Sequence, residues 1–136
     1  METAVAEHPN VTLFRKGYDA FNSGDMDTVR STFAQDIVWH SAGRSRFSRD
    51  THGLDATLGF FMELIQATNG TFHIDVHDII ANDTHAVALV TSHWEVEGKA
   101  NEDRGAHVVH IADGKITESW YFDWTPYLFD EQFPRQ

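Results

Sequence analysis

The last third of the chain concentrates side chains that can hold or transfer a proton. Between residues 107 and 124 the sequence HVVHIADGKITESWYFDW mixes ionisable and aromatic residues along two predicted strands. The strands flank Asp113 and Gly114, a pair that is typical of a two-residue hairpin turn. A hairpin that only fills a core carries mostly Val, Ile and Leu on its buried face. This mixture indicates a cavity wall that is partly apolar and partly reactive.

Asp123 is the first candidate catalytic residue. It ends the second strand of the hairpin, between Phe122 and Trp124. If its side chain faces an apolar cavity, the loss of hydration raises its pKa, and the carboxyl becomes an acid or base that works near neutral pH. The alternative is a surface carboxylate that only ends a strand. The sequence leaves both interpretations open.

Two histidines are candidates for polarising a ligand or relaying protons. His40 follows Trp39 at the end of a short predicted strand, just before a polar loop. His107 and His110 are three residues apart, so they face opposite sides of a strand and only one of them can face a cavity. We favour His107, because it shares its side with Val109. For His40 and His107 alike, the alternative is a histidine that only satisfies local hydrogen bonds.

Aromatic side chains supply the candidate ligand contacts. Tyr18 lies on the predicted first helix, and a buried phenol needs a hydrogen-bond partner, which a ligand oxygen can provide. We therefore assign Tyr18 a role in orienting the ligand. Most other aromatic residues are expected to be core, because helical spacing predicts burial. The candidate ligand-binding residues are Trp39, Phe14, Phe61, Trp120 and Phe122.

A row of alternate polar residues resembles a metal-ligand set. His73, Asp75 and His77 share one face of a predicted strand, and two histidines with a carboxylate can bind zinc or iron. The intervening residues are apolar and already supply a buried face. We therefore expect the polar row to face solvent or a dimer partner, and we predict no metal site and no cofactor.

Composition limits the possible partners and compartments. The chain has 136 residues, which suits one domain over 1–136, and its 21 acidic and 10 basic residues give a net charge of −11. This charge repels phosphate backbones, so nucleic acid is not an expected partner. No apolar run is long enough for a transmembrane helix, no basic cluster suggests an anionic membrane surface, and no secretory signal is visible. The absence of cysteine excludes thiol catalysis and fits a cytoplasmic protein.

Periodicity and turn residues predict the elements that position these side chains. Residues 1–9 are expected to be a loose end. Segregated helices and strands indicate an α+β fold, in which helices pack on one face of a curved antiparallel sheet and enclose a pocket. Helices are predicted at 11–23, from Asp25 to about Phe33, and at 54–68, and strands at 36–40, 71–81, 85–97 and along the hairpin, with a loop at 41–52.

Several strings, in this order, resemble the NTF2-like superfamily, and within it the SnoaL-like branch related to ketosteroid isomerase. They include residues 20–25 (AFNSGD), 33–40 (FAQDIVWH) and 109–118 (VHIADGKITE), and together the matching strings cover most of residues 10–124. Each string alone is common turn chemistry, but their order and separations match the fold. The resemblance implies a cone-shaped curved sheet with three helices around one deep apolar pocket. It also implies a homodimer formed through the outer face of the sheet.

The resemblance implies a small cofactor-independent enzyme that acts on a hydrophobic, oxygenated small molecule as an isomerase, cyclase or dehydratase. SnoaL-like cyclases place an essential acid in the last strand, which supports Asp123. The base and the tyrosine of steroid isomerases would fall at Ser41 and near Gly17, so steroid isomerisation by the usual residues is not expected. Two alternatives remain: a non-catalytic binding protein of the same fold, and a limonene-type epoxide hydrolase that uses Asp103, Arg104 and Asp123.

Overall fold

The computed structural model describes residues 7–135. This part of the chain contains four helices and six strands, joined by turns and loops. The expected loose end lies partly outside these residues, and the first helix begins at Pro9. The helices are α1 (Pro9–Ser23), α2 (Met26–Thr32), α3 (Leu54–Ala67) and α4 (Pro126–Gln132). The strands are β1 (Phe33–Ser41), β2 (Asp50–His52), β3 (His73–Ala81), β4 (His85–Val96), β5 (Lys99–Ala112) and β6 (Lys115–Asp123).

Helix α1 begins at Pro9, before the predicted start at residue 11, because His8 caps it. The Nδ1 atom of His8 accepts a hydrogen bond from the backbone N–H of Asn10 at 3.1 Å. Pro9 suits the first turn, where a backbone N–H has no partner within the helix. The Asn10 side chain instead donates to the carbonyl oxygens of Asn82 and Asp83, at 2.9 and 3.2 Å. This contact ties α1 to the turn between β3 and β4.

The apolar stripes of the helices cover one face of the sheet. Helix α1 buries Val11, Phe14 and Tyr18, and α3 buries Leu58 and Phe61, at the spacing predicted from the sequence. Full burial of one such side chain stabilises the fold by about 1.5–3 kcal/mol. None of the helices in residues 7–135 is both long and apolar enough to cross a membrane.

The strands form one curved, open sheet in the order β2-β1-β6-β5-β4-β3. Strands β3 to β6 make the predicted antiparallel meander, but β1 runs parallel to β6, with Trp39 opposite Ser119. Parallel pairing is possible because a long crossover, and not a tight turn, joins these two strands. The predicted loop at 41–52 contains β2, which pairs with β1 so that His40 lies opposite Asp50.

Tight turns set the register of strands β4, β5 and β6. Asp113 and Gly114 both have positive φ, 51° and 72°, as the predicted two-residue turn requires. Glu97 and Gly98, with φ of 53° and 78°, form a similar turn between β4 and β5. Strand β5 therefore begins at Lys99, directly after this turn.

Helix α4, which the sequence analysis did not identify as a helix, closes one side of the fold. Phe133, just after the helix, is buried against Phe47, with ring centroids 5.5 Å apart. The indole N–H of Trp94 donates to the side-chain oxygen of Gln132 at 2.8 Å. Because Phe129 lines the interior cavity, this C-terminal segment covers the pocket.

Candidate functional site

The helices and the inner face of the sheet enclose one large cavity. Its empty volume, including solvent at the open mouth, is about 960 Å³. A mostly apolar hollow with a few polar groups on its wall is typical of small-molecule binding sites. Aromatic side chains dominate the wall, and among them are three of the candidate ligand contacts, Phe14, Trp39 and Phe61. The cavity gives the chain the pocket that the sequence analysis expected.

The register of β5 and β6 decides which chemistry reaches this cavity. His107 lies opposite Tyr121, and Gly105 lies opposite Asp123. Residues directly opposite each other on paired strands share one face of the sheet. His107, Tyr121 and Asp123 all line the cavity, so the inner face of the hairpin carries an imidazole, a phenol and a carboxyl.

His107 is the centre of a buried hydrogen-bonded chain. Its Nδ1 atom lies 2.5 Å from the hydroxyl of Tyr18, and its Nε2 atom is hydrogen-bonded to the hydroxyl of Ser119. The ring packs against Trp39 and Phe14, with centroids 4.8 and 4.9 Å apart. Burial lowers the pKa of His107 to about 3, so the imidazole is neutral at physiological pH. The partner of the Tyr18 phenol is thus His107.

The tautomer of neutral His107 decides what the Tyr18 hydroxyl can do. A neutral imidazole has one N–H and one acceptor nitrogen. When Nδ1 carries the hydrogen, it donates to the Tyr18 oxygen, and Ser119 donates to Nε2. The Tyr18 hydroxyl hydrogen is then free to point into the cavity. Burial raises the pKa of Tyr18 well above its ordinary value, so the phenol remains a hydrogen-bond donor.

Asp123 lies on the cavity wall without a hydrogen-bond partner for its carboxyl among residues 7–135. The side chain is partly buried, and this loss of hydration is the main cause that raises its pKa to about 7. The negative charges of Asp103 and Asp130 raise the pKa further. At neutral pH both protonation states are therefore populated, as a general acid or base requires. Its catalytic role remains a prediction.

Tyr121 and Ser92 are cavity residues that the sequence analysis missed. Their hydroxyl groups are hydrogen-bonded at 2.6 Å, and both residues line the cavity. A Cβ atom at Gly105 would come within 3.3 Å of the Tyr121 ring, so the missing side chain there leaves room for this phenol. Strand alternation gave the signal, because Tyr121 lies two residues before Asp123 and must share its face.

His40 does not reach the cavity, which contradicts the expectation that it relays protons to a ligand there. It is next to Trp39, whose side chain points inward, so alternation turns His40 to the outer face. There its two ring nitrogens lie 2.6 Å from Asp50 and 2.7 Å from Glu118. The ring stacks on Trp120, with centroids 5.3 Å apart. The hydrogen bond with Glu118 is the largest cause that raises the pKa of His40, so it is protonated more readily than a free histidine.

Trp120 and Phe122 also lie on the outer face, so neither is the cavity contact that was expected. Both are next to inward-facing residues, Tyr121 and Asp123, and the period of two along β6 places them on the opposite side. Phe122 is 51% exposed. Of the nine candidate residues, the structure brings six to the cavity; they are Asp123, His107, Tyr18, Phe14, Trp39 and Phe61.

The geometry contradicts the epoxide hydrolase alternative. That reaction needs Arg104 to bridge two carboxylates that face the cavity. Asp103 is buried, while Arg104 is exposed and pairs with Thr91 in the β4–β5 register, on the other face. No ion pair within residues 7–135 joins Arg104 to Asp103 or Asp123. Consecutive residues of one strand cannot both point inward.

Known proteins place this chain in a family. The family model described as a SnoaL-like domain matches residues 14–119. The uncharacterized protein Rv0034 of Mycobacterium tuberculosis (strain H37Rv) is 25% identical over 114 residues, which cover 83% of this chain and 87% of that protein. The structure of Bal32a, from a soil-derived mobile gene cassette, is 28% identical, with a TM-score of 0.88 over 92% of this chain and 96% of that chain.

A third comparison supports the fold alone. The structure of TerC, co-crystallized with polyporic acid, has a TM-score of 0.82 at 18% identity over 92% of this chain and 98% of that chain. Because the family model covers most of the cavity-forming elements, and solved structures superpose on nearly the whole chain, the family is established. The chain belongs to the SnoaL-like domain family, and its fold is that of NTF2-like proteins.

Proposed function

We propose that this protein is a small enzyme that binds a hydrophobic, oxygenated molecule in its cavity and acts on it by general acid–base catalysis. The reaction is an isomerisation, a cyclisation or a dehydration, in which Asp123 transfers the proton. One observation carries the proposal: the Asp123 carboxyl lies on the wall of an apolar cavity, and no hydrogen-bond donor within residues 7–135 holds it ionised. A structural carboxylate is normally paired.

The proposed mechanism moves one proton. The Asp123 carboxylate removes a proton from a carbon next to a substrate carbonyl, and negative charge develops on the carbonyl oxygen. The Tyr18 hydroxyl, held by neutral His107, donates a hydrogen bond to that oxygen. Protonated Asp123 then returns the proton to another carbon in an isomerisation or to the leaving hydroxyl in a dehydration. In a cyclisation the enolate carbon bonds to a second carbonyl carbon of the substrate, and the proton goes to the alkoxide oxygen that forms there. The aromatic wall excludes water, which strengthens these interactions.

The charges around the cavity favour a neutral substrate. No Lys or Arg among the described residues lines the cavity. The nearby charges come from Asp103 and Asp130, which already raise the pKa of Asp123. Among residues 7–135, no cationic side chain on the wall would neutralise a carboxylate or phosphate group of the substrate. The co-crystallization of TerC with polyporic acid supports the general idea that this fold accommodates a small organic molecule.

The same fold without catalysis is the second candidate. Most polar groups of the cavity already have partners within the protein, such as His107 with Tyr18 and Tyr121 with Ser92. A carrier can hold a hydrophobic ligand by contact with aromatic side chains alone, so it needs no free polar group in the cavity. The unpaired Asp123 is the feature that a carrier leaves unexplained.

We also propose that the outer face of the sheet binds a second copy of the chain. Ile80, Leu89 and Phe122 are 62%, 37% and 51% exposed and lie on that face. Apolar groups exposed together mark an interaction surface. Sedimentation velocity of the wild-type protein should show a dimer, and Leu89→Lys should shift it toward monomer. A wild-type monomer at micromolar concentration contradicts the proposal.

The catalytic proposal is tested by solvent deuterium exchange. The wild-type protein is incubated in D₂O with a panel of neutral bicyclic and tricyclic ketones and enones, and deuterium incorporation is measured by mass spectrometry. Asp123→Asn should lower the exchange rate at least about 100-fold, because it removes the general base. Glu118→Gln is the matched control: it makes the same change on the same strand, on the outer face, and should leave the rate within about twofold.

Two outcomes would contradict catalysis by Asp123. If Asp123→Asn retains the wild-type rate while the wild type exchanges, another group transfers the proton. If the wild type quenches its tryptophan fluorescence with a panel compound but exchanges no deuterium, the carrier interpretation replaces the enzyme.

A further inference from the structure

The outer face of β3 and β4 carries a cluster of side chains that can bind a metal ion, and this cluster is separate from the apolar cavity. His73 lies directly opposite His93, and Asp75 is two residues along β3 on the same face. One ligand atom from each of the three side chains lies within 4.8 Å of the others. We propose that His73, Asp75 and His93 form a surface binding site for a divalent transition-metal ion, and that Zn²⁺ fits it best.

The structure selects His93 and leaves His77 out. In the sequence, His77 follows His73 and Asp75 at the spacing of a strand face, and the row was expected only to face solvent or a partner. A β-bulge between Val76 and Asp78 interrupts the pairing with β4, so His77 has no partner in that register. His93 joins the cluster across the sheet, which spacing along one strand cannot show.

The three side chains already lie close to a ligating arrangement. The Nε2 atom of His93 is 2.9 Å from a carboxylate oxygen of Asp75. The rings of His73 and His93 stack with centroids 4.7 Å apart and planes 10° from parallel. In a tetrahedral zinc site with bonds of about 2.0–2.1 Å, neighbouring ligand atoms are roughly 3.4 Å apart. Because all three side chains are exposed or partly exposed, rotation about their side-chain bonds can supply that change.

The donor set determines the class of ion. Two imidazole nitrogens and one carboxylate oxygen suit Zn²⁺ and similar transition-metal ions, whereas Mg²⁺ and Ca²⁺ prefer oxygen ligands throughout. Three protein ligands leave a fourth position for water. On the other side of the His93 ring, Nδ1 lies 3.8 Å from a carboxylate oxygen of Glu102 on β5. This contact is too long for a hydrogen bond, but a small rotation of the exposed Glu102 side chain would let it accept the second N–H of a ligating His93.

Local charge favours a cation at this cluster. The only ion pair that Asp75 forms within residues 7–135 is with His93, so no Lys or Arg occupies its carboxylate. Glu102 adds a second negative charge beside His93, and the chain as a whole carries a net charge of −11. A metal ion therefore replaces one weak histidine–carboxylate contact and meets a negative potential.

The test is a calorimetric titration of metal-free, untagged protein with ZnCl₂ at pH 7.5. The wild type should bind one equivalent. His93→Ala and Asp75→Asn should each weaken binding by about tenfold or more, as expected when one of three ligands is lost. His77→Ala is the matched control, since it removes an exposed histidine from the same strand but outside the cluster, and it should change Kd by less than about twofold. MgCl₂ should give no binding heat.

Histidine NMR of the wild type provides a readout that does not depend on a variant that folds. Addition of Zn²⁺ should shift the ring signals of His73 and His93 and leave those of His77 and His85 in place. The proposal is overturned if the wild type binds no zinc below about 100 µM. It is also overturned if His77→Ala weakens binding as much as His93→Ala, because zinc then binds another group of histidines.

Discussion

His107 and His40 lie on opposite faces of one sheet, and their surroundings give them opposite properties. Burial among aromatic rings lowers the pKa of His107 to about 3. On the outer face, a hydrogen bond with Glu118, supported by Asp50, raises the pKa of His40. The same side chain is a neutral hydrogen-bonding group inside and a charge-bearing group outside. The face that strand alternation selects decides the chemistry, and the residue type alone does not.

The two carboxylic acids of β6 repeat this contrast. Glu118, on the outer face, pairs with His40 at 2.7 Å. Asp123, on the inner face, has no pairing group in the described part of the chain, and burial is the main cause that raises its pKa to about 7. An ion pair holds a charge in place, whereas an unpaired carboxyl in an apolar wall exchanges its proton near neutral pH. The inner face is therefore the face on which we expect catalysis.

Truncation of tryptophan on each face should show the largest difference. Trp39 is buried and packs against Phe61 at 4.8 Å between centroids. Trp39→Ala should lower the free energy of unfolding by about 3–5 kcal/mol, because it leaves a cavity in the core. Trp120→Ala should cost about 1 kcal/mol or less, because the residue is partly exposed on the outer face. Urea denaturation measures both, and equal losses would contradict the separation of the faces.

The stability of the protein should depend on pH through Asp123. The folded pKa of about 7 lies above the ordinary 3.8, so the folded state retains a proton that the unfolded state releases. The stability contribution is complete below about pH 4 and is lost as pH rises through about 7. The loss is roughly 4 kcal/mol in all, of which about 2–3 kcal/mol falls between pH 5 and pH 8. Asp123→Asn should remove that loss, which urea denaturation at pH 5 and pH 8 can measure. Asp113→Asn, in an exposed turn, serves as the control and should retain the wild-type dependence.

The pKa values of His40 and His107 should differ between the two faces of the sheet. NMR should find His40 titrating above the ordinary pKa of 6.5, and His107 still neutral at pH 5. His40 therefore contributes stability below about pH 6.5, which is lost as pH rises through its folded pKa. His107 has the opposite sign, because its contribution is lost as pH falls below about 6.5 toward 3. A His107 midpoint near 6.5 would mean that water reaches the ring, which would contradict the burial of His107 on the inner face.

The smallest expected effect comes from Asp130, whose negative charge is the last of three causes that raise the pKa of Asp123. Asp130→Asn should lower the titration midpoint of Asp123 by well under one pKa unit, because burial remains the main cause. The substituted amide oxygen can still accept the hydrogen bond from the Arg44 backbone N–H, now 2.7 Å long. ¹³C NMR of the Asp123 carboxyl measures the midpoint. An upward shift would contradict the assigned sign of this interaction.

The sequence was sufficient for the elements whose signals are local. Asp113-Gly114 predicted the turn between β5 and β6, and both residues have positive φ. Asp25 predicted the start of α2, and its side chain accepts a hydrogen bond from the Thr28 backbone N–H at 3.1 Å. The shared face of His107 and Val109 was also correct, since both are buried. Turns, caps and strand alternation depend on neighbouring residues, so one sequence carries them.

Contacts between distant strands were beyond such reasoning. Nothing local places His93 beside His73, or sets β1 parallel to β6. The sequence analysis assigned His40, Trp120 and Phe122 to the cavity, and that error was avoidable, because the sequence does contain the signal that places them on the outer face. Each is adjacent to a residue that faces the cavity, and neighbours on one strand cannot both face it. Strict use of alternation would have removed all three from the candidate site.

The most direct test of the account is the carboxyl titration of Asp123 in the wild-type protein, followed by ¹³C NMR. The account predicts a midpoint at about pH 7, because an unpaired carboxyl on the wall of an apolar cavity resists ionisation. A midpoint near the ordinary value of 3.8 would contradict it, since Asp123 would then be a hydrated surface carboxylate and the inner face would have no acid or base suited to neutral pH.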